Sequence, residues 1–152
     1  MKQVCLFMLT ALLGSAWLSG CASDGKPKPT GFASVVIPNR SREEIQQATL
    51  TVFISDGYRA VVKPEGKMQF EKEASRSTRN AYSSFGETFK EKVDVRVRAE
   101  IESLGLGTHR LHCNAWIVRD AGDAFGEEEL KVSSFGRKPY QKLLDDVAAR
   151  LK

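Results

Sequence analysis

The chain is poor in the residues that most often mark an active site, and each scarcity narrows the function. Among 152 residues there are two histidines, His109 and His112, and three cysteines. In the alternating stretch that holds both histidines, positions 109 and 112 point to opposite faces, and so do 112 and 113. His109, His112 and Cys113 therefore cannot converge at the roughly 2.0–2.3 Å that zinc requires, and no metal ligand set is assigned. Serine is common, yet no nucleophile elbow and no phosphate-binding glycine loop is present. No catalytic residue and no cofactor are assigned, and the chain is read as non-enzymatic. Excess charge of one sign is missing too: 23 basic residues stand against 19 acidic ones. So mild a balance is no footprint for nucleic acid. Long apolar runs are absent beyond the first twenty residues.

What is present begins with that first segment. Lys2 provides a positive start, and an apolar run from Val4 to Leu18 follows, broken only by Thr10, Gly14 and Ser15. About 15 residues fall short of the roughly 20 that a membrane span needs. Residues 1–20 have the layout of a secretory signal peptide. The segment ends in Leu18-Ser19-Gly20-Cys21, which resembles the lipobox of bacterial lipoprotein precursors. The resemblance implies a diacylglyceryl thioether on Cys21, cleavage before Cys21 and acylation of the freed amine, palmitate being typical. Each buried methylene contributes about 0.8 kcal/mol, so two or three chains on one residue hold firmly where one would not. In that family the residue after the cysteine influences sorting. Ala22 implies the outer membrane, with the inner membrane as the alternative. Cys5 leaves with the signal and Cys21 carries lipid, so Cys113 stays as a lone thiol of the core type.

Residues 21–31 form the expected tether. They are polar and interrupted by Pro27 and Pro29, and about ten residues at ~3.3 Å each reach some 30 Å. Residues 32–152 are read as one α+β domain. A short strand is expected over 32–37. Ser41 and Glu44 then form a capping box, ahead of an apolar face of Ile45, Ala48, Thr49, Val52 and Phe53 that Gly57 ends. Residues 58–63 and 67–72 flank Pro64-Glu65-Gly66 as a hairpin. Residues 74–92 show no clear period and are expected to be a long loop. Ser83-Ser84-Phe85-Gly86 recurs as Ser133-Ser134-Phe135-Gly136, but the flanks differ and no internal repeat is inferred.

The clearest pattern runs over 93–102, where odd positions are apolar and even ones charged. This is a half-buried strand. Residues 109–118 return beside it. Setting Ile101 against Leu111 aligns both apolar faces and pairs Glu102 with Arg110, Glu100 with His112, Arg98 with Asn114 and Arg96 with Trp116. Residues 119–138 read as loop with an extended piece at 130–132. A second amphipathic helix carries Tyr140, Leu143, Leu144, Val147 and Leu151, with Pro139 in its first turn.

These elements predict an antiparallel sheet of about five strands with two helices on one face. The layout is similar to the small domains in the lipoprotein subunit of the outer-membrane β-barrel assembly machine. No motif carries that similarity, so it transfers no functional residue. The expected partners are the membrane, through the lipid anchor, and another envelope protein. That protein would meet Trp116, Arg96 and Arg98 on the charged sheet face, or the 74–92 segment. The alternative is a module that holds a small apolar ligand or lipid between helices and sheet.

Overall fold

The alternating 93–102 segment occupies the middle of a six-stranded antiparallel sheet. The architecture described here is that of a computed structural model, covering residues 31–62, 67–82, 92–123 and 126–152. The elements in chain order are β1 (Ala33–Pro38), α1 (Arg42–Ser55), β2 (Arg59–Val62), β3 (Met68–Glu73), α2 (Arg76–Tyr82), β4 (Asp94–Gly105), β5 (Thr108–Arg119), β6 (Glu128–Lys131), a 3-10 turn (Ser134–Gly136) and α3 (Lys138–Arg150). The strands lie in the order β1-β5-β4-β3-β2. β6 pairs with β5 on the same side as β1: β1 takes Thr108–Cys113 and β6 takes Trp116–Arg119.

The β4–β5 register is the one expected from charge, with Ile101 opposite Leu111, Glu102 opposite Arg110 and Arg96 opposite Trp116. Alternation then sends Val95, Val97, Ala99 and Ile101 to the same side as Leu111, Cys113, Ala115 and Ile117, and all eight are buried. That side meets α1 and α3. Ile45, Ala48 and Phe53 of α1, with Leu143, Leu144 and Val147 of α3, are buried against it. Phe53 stacks on Phe70 of β3 at 4.2 Å between ring centroids. Full burial of side chains this size contributes about 1.5–3 kcal/mol each.

Local chemistry sets the helix ends. The Ser41 hydroxyl accepts from Glu44 N–H at 3.2 Å, and Ser41 N–H donates to the Glu44 carboxylate at 2.8 Å. Both bonds satisfy donors that the first turn leaves open. Gly57 follows α1 with φ +90°, a conformation glycine adopts without steric cost. Thr49, buried in the helix face, donates its hydroxyl to Ile45 C=O at 2.7 Å. The free edge of β1 is closed by a side chain. Gln141 of α3 accepts from Ser34 N–H at 3.2 Å and donates to Ser34 C=O at 3.0 Å, which removes an open pairing site from the sheet edge.

Three features differ from the sequence reading or sharpen it. The 74–92 segment contains α2, which buries no residue; without an apolar face it has no period to read. The extended piece expected at 130–132 is β6, which spans Glu128–Lys131 and pairs with β5. Asp94, expected on a solvated face, is only 2% exposed, because Lys92 and Arg59 lie beside it at 3.5 and 3.8 Å. Cys21, the tether, Pro64-Glu65-Gly66 and the first Ser-Ser-Phe-Gly copy lie outside the described residues.

Candidate functional site

The face of the sheet turned away from α1 and α3 carries the polar members of β3, β4 and β5. It divides into two regions. The first is an ion-pair lattice at the base of the β4–β5 hairpin. The Arg96 guanidinium donates to Glu71 at 2.7 Å and to both Glu127 and Glu129, and Arg98 shares Glu129. Arg96 is held firmly in its charged form, most of all by the bond to Glu127. The same bond, aided by Gly122 N–H, holds the Glu127 carboxyl below its ordinary value. Only 13% of the Arg96 side chain is exposed, so it is enclosed by its own chain rather than offered outward.

The second region lies toward the middle of the sheet. It is a trough of about 290 Å³, lined by Lys67, Gln69, Arg98, Glu100, His112, Asn114 and Trp116, with Met68 and Ala99 beneath. The Arg98 guanidinium sits 4.5 Å from the Trp116 ring centre, a cation–π distance. Trp116 is half-buried. Asn114 accepts from Phe32 N–H at 3.3 Å. Glu100 faces His112 across the strands, and the His112 Nδ1 atom is buried without a hydrogen-bond partner among the described residues. A buried polar atom lacking a partner is uncommon.

The three residues expected to form a partner surface thus stand close together, but in unequal positions. Arg98 and Trp116 line the trough, and Arg96 is consumed by the lattice. Missing from the sequence reading were Glu127 and Glu129. They read as part of a loop and reach Arg96 only because β6 folds back along β5. Chain entry is informative as well. Gly31 approaches so closely that a Cβ there would lie 2.9 Å from His112 Cβ. The chain therefore joins the sheet beside the trough.

His109 and Cys113 lie on the helix side and His112 on the other, and no group of three His, Cys, Asp or Glu among the described residues could hold a metal. Burial pushes the Cys113 thiol up to about 12, so at neutral pH it is a protonated core group without nucleophilic character. No described helix is long and apolar enough to cross a membrane. No family model, no curated protein and no solved structure matches this chain.

Proposed function

We propose that this chain is the precursor of a lipid-anchored cell-envelope lipoprotein, held in the outer membrane by Cys21. Its domain would act without catalysis, as an interaction or assembly module that engages another envelope protein. The observation that carries the anchor is Leu18-Ser19-Gly20-Cys21 at the end of an apolar leader. What supports the interaction is the contrast on the polar face. One region pairs its charges within the chain, and the trough beside it sets Arg98 over the Trp116 ring and leaves the His112 Nδ1 atom buried without a hydrogen-bond partner among the described residues. Aromatic residues beside arginine are frequent anchors of binding energy at interfaces.

A second reading, an apolar-ligand module, draws on a concavity of about 440 Å³ lined by Val36, Ile37, Pro38, Ala148 and Leu151 between β1 and the end of α3. Fractionation of cells carrying Cys21→Ser tests the anchor. The expected result is loss of lipid labelling and of lipoprotein processing; unchanged labelling would reject it. Co-purification from envelopes with and without Trp116→Ala tests the face: partners should be lost, and an unchanged set would remove this face from consideration. Solvent extraction of the purified protein would reveal a bound lipid if the second reading holds.

A further inference from the structure

The tip of the β4–β5 hairpin is built against local preference. Gly105, Leu106 and Gly107 all have positive φ, at +89°, +49° and +68°. Two-residue hairpin turns of this kind favour asparagine, aspartate or glycine, and a bulky side chain there is an outlier. Leu106 is also completely exposed, at 101%. It thus combines backbone strain with a solvated apolar side chain, and nothing among the described residues returns either cost. Such strain persists where function maintains it.

A second observation at the same end of the molecule indicates what Leu106 meets. Asn39 N–H donates to Gly107 C=O at 3.0 Å, which ties the tip to the rim of the 440 Å³ concavity between β1 and α3. Val36 on that rim is 51% exposed. The concavity is lined by apolar side chains together with Asn39, Arg40 and Lys152; Arg40 also lies 3.5 Å from Glu44 on α1. An apolar fingertip beside an apolar hollow with cations at its margin matches the boundary of a bilayer, where acyl chains lie beneath anionic headgroups.

We infer that this end of the domain, led by Leu106, is a second and noncovalent contact with an anionic lipid surface. The inference rests on the anchor reading in one respect, because one leucine and two cations bind a bilayer only weakly. A tether changes that by making the contact intramolecular, so that it forms at the effective concentration set by attachment and not at that of free protein. Reach is sufficient. From Gly31 to the tip the chain runs the length of β1, roughly 20 Å, and a ten-residue tether spans up to about 33 Å. In this pose the leucine tip rests on the lipid while the polar face of the sheet stays open sideways to a protein.

The test uses the lipidated protein purified from membranes and reconstituted into vesicles of phosphatidylglycerol and phosphatidylcholine, with brominated acyl chains as quencher. Leu106→Trp is placed in a Trp116→Phe background, so that once residues 1–20 are removed with Trp17 the tip carries the sole indole. Ile54→Trp in the same background is the comparison, since Ile54 is also exposed, at 55%, but on α1. The expected result is blue-shifted emission and quenching at the tip, at least about threefold stronger than at position 54 as befits an indole buried at the interface. High salt, or Arg40→Glu with Lys152→Glu, should weaken the quenching. Attachment to vesicles with equal quenching at both positions would overturn the contact and leave the anchor standing. Failure to attach at all would reject the anchor and the contact with it.

Discussion

The two ends of the β4–β5 hairpin follow opposite rules. At its base, Arg96 is surrounded by Glu71, Glu127 and Glu129, which pair with it within the chain. At its tip, Leu106 is left bare in a backbone conformation that suits other residues better. The base is optimised for the folded domain alone. The proposed lipid contact would receive the tip from outside the domain. Between them lies the trough, satisfied in part, with Arg98 bound on one side to Glu129 and open on the other toward Trp116. A folded protein keeps locally unfavourable residues chiefly at functional sites, so the gradient from base to tip ranks surfaces by their involvement with partners.

Three changes break or sharpen this contrast. Arg96→Ala should have the largest effect. It leaves three carboxylates facing one another, each no more than 27% exposed, and should destabilise the domain by about 2–3 kcal/mol in urea titrations. A loss below about 0.5 kcal/mol, the level of an ordinary exposed pair, would show that the base is not the optimised end. Leu106→Asn should act in the opposite direction and raise stability by about 0.5–1 kcal/mol, because asparagine accepts the left-handed conformation. A clear fall in melting temperature would mean that the leucine supports the fold. The smallest effect is acid sensitivity confined to the base. Glu127 titrates below its ordinary 4.5 in the folded state, so its stabilising contribution is present above that pH and fades as pH falls through the lowered value. Arg96→Ala should abolish this part of the acid response, and Leu106→Asn should leave it intact.

Much of the architecture was legible because it is written in local period and local charge. The capping box of Ser41 and Glu44, the α1 face from Ile45 to Phe53, the α3 face from Tyr140 to Val147 and the residue-by-residue register of β4 on β5 all follow from spacing. The strand register is a case in point: a strict two-residue alternation over ten positions leaves few ways to align two apolar faces, and opposite charges select among them. What spacing could not reveal depends on contacts distant in the chain. Glu127 and Glu129 reach Arg96 across some thirty residues, Gln141 caps Ser34 of β1 from 107 residues away, and Arg59 reaches Asp94 from β2. α2 escaped notice for another reason, since it buries nothing and so has no pattern. The Leu106 tip was visible as Gly-Leu-Gly, yet its meaning required knowing that all three residues are left-handed.

The account depends most directly on what the cell makes of Cys21. Intact mass spectrometry of the native protein purified from membranes measures this in one step. The predicted product begins at Cys21 and carries a diacylglyceryl group with a further acyl chain on the amine. A mature protein that starts at any other residue, or a Cys21 without added lipid mass, would contradict it.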